Sequence, residues 1–249
     1  MASKSPTLRA ELSGLKLVHS SDLHLGDEET TRLSGGNETL MLERVLAAAE
    51  AVAADALLLA GDVFENNRVG RTLVARVGKL LAGAVMPIVV LPGNHDPLVA
   101  GGVWRQRALH APDNVHVLGV THGRTVVIQA LGLEVWGNPH LHYDDMVPLV
   151  RPRRRTTPFQ VTLAHGHYDR EPDRRRTPRP AWLIGAAEIE ATGADYVALG
   201  HWNQAIRVGG GKVPAHYSGA PELADSVNVI TLRPGRPAGV ARKTLPALG

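Results

Sequence analysis

The fold is decided by a short stretch in the first quarter of the chain, Ala56-Leu57-Leu58-Leu59-Ala60-Gly61-Asp62. Its apolar run ends at a glycine and an aspartate, a pattern typical of a β-strand that is buried on both faces and stops at a sharp turn. Similar strands are predicted on either side of it, at residues 15–19 and 87–91. Helices are predicted between these strands, at residues 39–54 and 71–82, because their apolar residues recur at helical spacing. This alternation predicts a parallel sheet with right-handed crossovers.

The pattern changes after Asp113. Three short strands separated by glycine-containing turns, at residues 115–118, 125–130 and 133–136, are predicted to form antiparallel hairpins. Further strands are predicted at residues 159–164, 196–199, 204–208, 213–217, 227–232 and 239–245, with a helix at 186–191. Proline-rich segments at 151–158 and 170–180 are predicted to be loops, because proline interrupts both helices and strand ladders. We therefore expect an α/β protein with two mixed sheets in a single domain, residues 1–249.

Composition excludes several classes of protein. The 249 residues include 12 histidines and no cysteine, which excludes disulfide scaffolds, zinc ribbons and iron–sulfur proteins. The 44% hydrophobic content is too high for a disordered chain. No stretch is long and apolar enough to span a membrane, and the N-terminus lacks the apolar region of a secretory signal. We expect a cytoplasmic protein that does not bind membranes.

Positive charge is concentrated in one region. The chain has a net charge of +3, whereas residues 148–180 carry nine arginines and three acidic residues, a net charge of +6. Arg/Pro-rich loops of this kind either contact nucleic-acid phosphates or form a solvated surface with no specific role, and the sequence leaves both open. Tyr168 alone interleaves with these arginines, so we expect no single-strand stacking platform there.

Polar side chains follow each predicted buried strand. The motifs are Asp22-Leu-His24, Gly61-Asp62, Gly93-Asn94-His95-Asp96, His165-Gly-His167 and Gly200-His201-Trp-Asn203. The carboxyl ends of parallel strands meet at one edge of a sheet, so these side chains should lie close together. Any one motif is more often an ordinary turn or a buried histidine. Together they favour a site for Mn²⁺, Mg²⁺, Fe²⁺ or Zn²⁺, since all of them supply oxygen or imidazole ligands.

The series of motifs resembles the calcineurin-like metallophosphoesterase family, whose blocks are Asp-x-His, Gly-Asp, Gly-Asn-His-Asp/Glu, a histidine after a strand, and Gly-His-x-His. The resemblance runs from Leu17 to about Asn203. It implies a four-layer sandwich, in which two mixed β-sheets are flanked by helices, with two divalent metals at the strand ends.

The resemblance also implies a role for each site residue. Asp22, His24 and Asp62 would hold the first metal, Asp62 would bridge to the second, and Asn94, His165 and His201 would complete the second. His95 would stand beside the metals and protonate the leaving oxygen or stabilise the charge that develops on the phosphorus. Asp96 would either orient His95 or cap the turn.

The last block departs from the family pattern, because Asn203 stands where the family has a histidine. Asn203 would then be a neutral amide ligand of the first metal, weaker than imidazole and biased toward harder ions. We expect a weaker first site that prefers Mn²⁺ or Mg²⁺ over Zn²⁺. For the two ions together we expect Mn²⁺, with Mg²⁺, Fe²⁺ or Zn²⁺ as alternatives.

Two further stretches resemble the SbcD-type group of DNA-repair exonuclease subunits. They are Gly61-Asp-Val-Phe-Glu65 with Asn67-Arg68, and Ala198-Leu-Gly-His201 followed by Tyr217-Ser-Gly-Ala-Pro221, a strand end that borders the metal site in that group. The resemblance implies a dinuclear-metal-dependent phosphodiesterase that attacks DNA with a metal-bridging hydroxide. A small-molecule phosphodiesterase or phosphomonoesterase, and a degenerate non-catalytic scaffold, remain alternatives.

The chain is short for that group. Only 28 residues follow Pro221, fewer than the usual DNA-capping region and the helices that bind a partner ATPase require. We therefore expect a minimal catalytic domain that acts on DNA or another phosphodiester, alone or as a homo-oligomer, without a partner ATPase.

Overall fold

The computed structural model describes residues 14–143, 147–149, 154–175 and 182–247. Its strands, in chain order, are β1 (Leu15–Ser20), β2 (Ala56–Ala60), β3 (Ile88–Leu91), β4 (Val115–Val117), β5 (Thr125–Ile128), β6 (Leu133–Gly137), β7 (Phe159–His165), β8 (His167–Tyr168), β9 (Leu183–Ile184), β10 (Tyr196–Gly200), β11 (Ile206–Val208), β12 (Ala215–Tyr217), β13 (Ser226–Arg233) and β14 (Arg236–Thr244). Its helices are α1 (Glu28–Leu33), α2 (Leu40–Ala51), α3 (Arg71–Gly83), α4 (Arg107–His110), α5 (Ala186–Ala191) and α6 (Pro221–Ala224).

The strands form two mixed six-stranded sheets and a two-stranded ribbon. The first sheet has the order β14-β13-β1-β2-β3-β4, in which β1 to β4 are parallel and β13 and β14 are antiparallel additions. The second sheet has the order β11-β12-β10-β7-β6-β5, with a parallel centre and antiparallel edge strands. Strands β8 and β9 form the ribbon.

Strand β2 shows why the central strands are apolar throughout. Leu57 and Leu59 pack in the core beneath the helices, whereas Ala56, Leu58 and Ala60 pack in the core between the two sheets. Every residue of β2 is buried, as expected for a parallel strand covered on both faces.

Helices cover the outer faces of both sheets. Val45 of α2 and Val77 of α3 belong to the core of the first sheet, and Ile189 of α5 belongs to the outer core of the second sheet. The layers are therefore helix, sheet, sheet and helix, which confirms the expected four-layer α/β sandwich. No described helix combines the length and the apolar character needed to cross a membrane.

One predicted pairing is wrong. The sequence pattern predicts β4 in an antiparallel hairpin, but this strand pairs in parallel with β3 at the edge of the first sheet. A short 3-10 turn (Val103–Arg105) and α4 lie between β3 and β4. This connection carries the chain back to the amino-terminal end of β3, and such a crossover produces a parallel neighbour.

Four helices also differ from expectation, because α1, α4 and α6 are not predicted and α2 is shorter than predicted. The sequence pattern does not predict α1; Asp27 caps this helix by accepting a hydrogen bond from the Thr30 amide at 2.7 Å, and α1 buries no residue, so no apolar period marks it. Helix α2 ends at Ala51 instead of continuing to residue 54, because Ala53 adopts a left-handed conformation at φ 50°.

The described parts of the Arg/Pro-rich segments, residues 154–158 and 170–175, contain no helix or strand. Arg155 forms a two-pronged ion pair with Asp195 at 2.8 and 3.0 Å, and Arg174 contacts both carboxylate oxygens of Glu188 at 2.8 Å. Two of the arginines in these loops are therefore engaged within the protein. Arg151, Arg153, Arg176 and Arg179 lie outside the described residues.

Candidate metal centre

The loops that carry the candidate ligands have an unusual backbone. Six non-glycine residues in the described ranges have a positive φ, and four of them are Asp22, His24, Asp62 and His201, with φ between 46° and 103°. L-residues adopt this conformation only where the surroundings compensate for its cost, which is common at functional sites. Here the Asp22 and His24 amides donate to the carbonyls of Gly61 and Asp62 at 3.0 and 3.1 Å. The loops after β1 and β2 are thus joined directly.

Two glycines allow the side chains to approach. A Cβ on Gly61 would lie 2.1 Å from His165 Nδ1, and a Cβ on Gly93 would lie 2.1 Å from Asp62 Oδ1. Both distances are far inside van der Waals contact, so only glycine fits at either position. The Gly-Asp and Gly-Asn-His-Asp motifs therefore need their glycines for close packing as well as for the turn.

His165 is fully buried and its orientation is set by the backbone. Its Nδ1 lies 2.8 Å from the Ala60 carbonyl oxygen, so this nitrogen carries a proton and donates it. The opposite nitrogen, Nε2, lies 3.0 Å from Asp62 Oδ2 and 3.0 Å from Asn94 Oδ1. The same Asn94 oxygen lies 3.0 Å from His201 Nδ1. The end of β7 is therefore joined to the loops after β2, β3 and β10.

Two groups of titratable side chains share one residue, and in each group the ligand atoms all lie within 4.8 Å of one another. One group is Asp62, His165 and His201, and the other is Asp22, His24 and Asp62. Asp62 belongs to both, the position that a bridging carboxylate requires. Asp22 is held in place because both of its oxygens accept from the His201 amide, at 2.9 and 3.0 Å.

The electrostatics of this cluster fit a divalent cation. Burial opposes a charge on His165, but the Asp62 carboxylate raises the pKa of His165 to about 9, and His165 in turn lowers the pKa of Asp62. Burial raises the pKa of Asp22 to about 6. A proton on His165 Nε2 can thus be shared with Asp62 Oδ2 and Asn94 Oδ1. Without this proton, both oxygens would face the lone pair of Nε2. A divalent metal would satisfy the same oxygen and nitrogen ligands, so the donor set fits Mn²⁺, Mg²⁺, Fe²⁺ or Zn²⁺.

His95 and Glu65 lie at the open side of the cluster. The His95 amide donates to Asp62 Oδ1 at 2.9 Å, and the His95 ring nitrogen Nδ1 lies 2.9 Å from the Glu65 carbonyl oxygen and 3.5 Å from Glu65 Oε1. Burial lowers the pKa of His95, yet the Asp62 and Glu65 charges raise it overall above its ordinary value. The His95 side chain is 39% exposed, so an approaching substrate can reach it.

Glu65 is a site residue to which the sequence motifs assign no role. Its Oε2 lies 2.8 Å from His24 Nδ1, while Oε1 faces His95. Glu65, His24 and His95 also place their ligand atoms within 4.8 Å of one another. The signals in the sequence are that Glu65 stands three residues after Asp62 in the same loop and that it ends the stretch Gly61 to Glu65, which resembles the SbcD-type group.

Asp96 lies close by but faces the backbone. Its Oδ2 accepts from the amides of Val63 and Phe64 at 2.9 and 3.1 Å, and its Oδ1 accepts from the Gly93 amide at 2.7 Å. Burial raises the pKa of Asp96 to about 6. These three hydrogen bonds to backbone amides are the contacts expected of a residue that caps the turn. The structure shows Glu65, and not Asp96, within 3.5 Å of the His95 ring nitrogen.

Asn203 is exposed, and among the described residues its hydrogen bonds are confined to the backbone, where its carbonyl accepts from the Ala220 amide at 3.2 Å. Its role as a metal ligand stays a prediction. His140 is buried, and its Nε2 donates to the His165 carbonyl at 2.9 Å, so it supports the loop after β7. His142 is exposed.

The strand end at Tyr217 to Pro221 borders the site through two serines. Ser218 Oγ lies 2.8 Å from Ser21 Oγ, and Ser21 Oγ donates to Asp22 Oδ2. The Asn228 amide group also donates to the Tyr217 carbonyl at 3.2 Å. The loop after β12 is therefore part of the wall behind Asp22.

Comparison with known families decides what kind of centre this is. The family model described as Calcineurin-like phosphoesterase matches residues 15–205, which include the five motifs from Asp22 to Asn203. The chain belongs to this family. As a calcineurin-like phosphoesterase it is a metal-dependent hydrolase of phosphoesters, and the non-catalytic scaffold is no longer a candidate.

Two bacterial relatives and one solved structure extend the comparison. The chain is 24% identical to the SbcD component of the nuclease SbcCD from Bacillus subtilis over 90% of its length, and 26% identical to the corresponding component from Escherichia coli over 83%. It spans 68% and 60% of the lengths of those relatives. The crystal structure of TT1561 of Thermus thermophilus shares the fold, with a TM-score of 0.62 and 13% identity, and the match covers 94% of this chain and all of the other. The likeness to SbcD-type phosphoesterases is confirmed.

Proposed function

We propose that this phosphoesterase is a dinuclear-metal-dependent phosphodiesterase that cleaves DNA. The observation that carries the proposal is the shared position of Asp62, which lies within 4.8 Å of ligand atoms on both sides of the cluster. The names of the two relatives, both components of a nuclease, support DNA over other diesters.

The candidate ligands divide into two sets, one for each metal. Asp22, His24 and Asp62 would hold one metal, with Asn203 as its fourth and weaker ligand through the side-chain amide. Asp62, Asn94, His165 and His201 would hold the other. When bound, the two ions supply positive charge that neutralises the phosphoryl oxygens and lowers the pKa of the attacking water.

In this proposal His95 transfers a proton to the leaving oxygen. Its Nδ1 donates toward Glu65, so Nε2 is left for the substrate. The Asp62 carboxylate accepts a hydrogen bond from the His95 amide, and this bond fixes the position of the loop that carries the His95 ring. We expect His95→Ala to abolish turnover while both metals remain bound; loss of a metal would instead make His95 a ligand.

The metal preference is tested by reconstitution. Protein stripped of metal is loaded with Mn²⁺, Mg²⁺, Fe²⁺ or Zn²⁺ and assayed on bis(4-nitrophenyl) phosphate, mononucleotide esters, and single- and double-stranded DNA. We propose two unequal sites with the highest activity in Mn²⁺, because Asn203 offers an amide oxygen in place of an imidazole. Two Zn²⁺ ions that bind with equal, high affinity in calorimetry would contradict this proposal.

The exposed arginines test the DNA substrate. Arg154, Arg170 and Arg175 are exposed and form no ion pair within the described part of the chain, unlike Arg155 and Arg174. Changing these three to glutamate should weaken DNA cleavage and flatten its salt dependence, because each phosphate contact releases a counterion. Hydrolysis of bis(4-nitrophenyl) phosphate should be unchanged.

A small-molecule diester is the second candidate, since two of the arginines in the described loops are engaged in internal ion pairs and leave fewer for DNA. Equal effects of the glutamate substitutions on DNA and on the small diester would favour it.

A further inference from the structure

Trp202 forms a flat stack with Tyr217 beside the metal centre. The two ring centroids are 4.6 Å apart and the ring planes differ by 7°. Tyr217 is fully buried and fixed at its far end, because its hydroxyl donates to the Gly166 carbonyl at 2.7 Å and accepts from the Tyr168 amide at 2.8 Å. Trp202 therefore rests on an immobile base.

A second contact fixes Trp202 within its own plane. Its indole N–H donates to His167 Nδ1 at 3.0 Å. Because an indole N–H points outward in the ring plane, His167 lies at the edge of Trp202 and not over its face. Trp202 is half-buried, and in the described ranges Tyr217 and His167 are the only rings packed against it. In the described ranges, therefore, no other ring covers the face of Trp202 opposite Tyr217.

This face adjoins the site where a phosphodiester would bind. Trp202 directly follows His201, whose ring nitrogen lies 3.0 Å from Asn94 Oδ1, and the His167 and His201 ring centroids are 6.4 Å apart. In a nucleotide the base is separated from its phosphate by one sugar. A phosphate held beside His201 therefore brings its base to the neighbouring residue.

We propose that Trp202, backed by Tyr217 and held by His167, stacks against a nucleobase of the substrate next to the scissile phosphate. This rests on the proposed phosphodiesterase function and narrows its substrates to nucleotidyl diesters. An aromatic face accepts any base, so the site confers a preference for nucleotides without sequence specificity. A tryptophan that serves only to pack would affect every substrate alike.

The test uses two diesters with the same leaving group, methyl 4-nitrophenyl phosphate and thymidine 5′-(4-nitrophenyl phosphate). Trp202→Leu should lower kcat/KM about 10-fold for the thymidine ester and less than 2-fold for the methyl ester, because only the former loses a stacking partner. Trp202→Phe should restore much of the difference. Equal losses on both substrates, or no loss on either, would overturn the proposal.

Fluorescence separates this proposal from the proposed function. Titration of the metal-free protein with thymidylyl-thymidine should quench tryptophan emission in a saturable manner, and Trp202→Leu should abolish the quenching. If the wild-type protein hydrolyses neither diester with any metal, the phosphodiesterase function fails, while quenching confined to the wild type still supports base stacking. Absence of quenching in the wild type would refute base stacking on Trp202. Thermal melting of each variant verifies that it is folded.

Discussion

Glu65 connects two histidines that belong to different sequence motifs. It accepts from His24 through one oxygen and faces His95 with the other. A carboxylate bound to the far nitrogen of a metal-ligating imidazole sets the tautomer and strengthens the ligand. Glu65 is thus placed to orient His24 toward a metal and to hold the His95 ring.

Replacing Glu65 tests this arrangement. Glu65→Gln keeps the size of the side chain but removes its charge, and we expect metal affinity and kcat each to fall by about 10-fold. Metal titration by calorimetry gives the affinity independently of turnover. Glu171→Gln, at an exposed carboxylate outside the cluster, is the matched control. Wild-type metal affinity in Glu65→Gln would show that the contact to His24 has no such role.

Replacing Asp96 distinguishes between its two expected roles, which are to cap the turn or to orient His95. Asp96→Asn retains one acceptor oxygen where three backbone amides now donate, so we expect the free energy of unfolding to fall by ~1–3 kcal/mol. Urea denaturation measures this loss. If Asp96 instead orients His95, the variant keeps its stability and shows a displaced pH–rate profile.

At this scale the sequence indicates which residues carry chemistry but not what each one contacts. Asp62, Asn94, His165 and His201 could be grouped in advance, because each stands at or just after the end of a buried parallel strand, although these strands belong to two different sheets. Glu65 could not be assigned, since only the path of the loop after β2 brings it back onto His24. The stack of Trp202 on Tyr217 joins two strand ends that are fifteen residues apart, a pairing that no local pattern shows.

At the scale of elements, the turns after the buried strands determine how closely the loops pack. Gly61 combines a left-handed φ of 96° with a position against His165, whereas Gly35 has a φ of 63° and no atom within 4 Å of its would-be Cβ. A side chain at Gly35 would therefore meet only the cost of the left-handed backbone, whereas a side chain at Gly61 would also clash with His165.

Alanine substitutions measure the two effects. Gly35→Ala should cost about 1 kcal/mol of unfolding free energy from the left-handed backbone alone. Gly61→Ala should cost at least about 2 kcal/mol more, because its methyl group displaces the His165 ring. The displaced ring should also weaken metal binding in Gly61→Ala only. Urea denaturation and metal titration of both variants check this, and equal losses would show that His165 moves aside easily.

The order of elements was predictable wherever apolar runs are continuous. Strands β1, β2 and β3 and helix α3 lie within a residue or two of their expected positions, because strong hydrophobic periodicity specifies both type and place. Strand β4 has only three residues, and its partner depends on a connection whose two helical elements are too short to leave a periodic signal. The residues of β4 alone therefore could not predict that it runs parallel to β3.

For the whole molecule, buried histidines connect stability to pH. His19 is fully buried between the sheets, with Nδ1 3.0 Å from the hydroxyl of Tyr196, whose ring stacks on His216. Burial, together with the charge of His216, lowers the pKa of His19 to about 3. Burial lowers the pKa of His216 as well, to about 4.

Acid should therefore destabilise the protein through these groups. Between pH 6.5 and about 3 the unfolded chain binds a proton at position 19 that the folded protein excludes, so the free energy of unfolding falls as the pH falls through this window. We expect His19→Asn to be less stable at pH 7.5 but to lose about 2 kcal/mol less than the wild type between about pH 6.5 and about pH 4.5. Parallel stability curves from urea denaturation would contradict this.

The position of β13 has a consequence for how the chain folds during synthesis. Strand β1 pairs with β2 on one side and with β13 on the other, so strands more than two hundred residues apart in sequence are neighbours in the first sheet. Contacts between such distant segments form late, because the chain between them must be made and closed first. Until then one edge of β1 exposes unpaired amides and carbonyls, which can recruit strands from other molecules. The nascent chain should thus be most prone to aggregate just before the β13–β14 hairpin emerges, and coupling translation to a chaperone would matter most at that point.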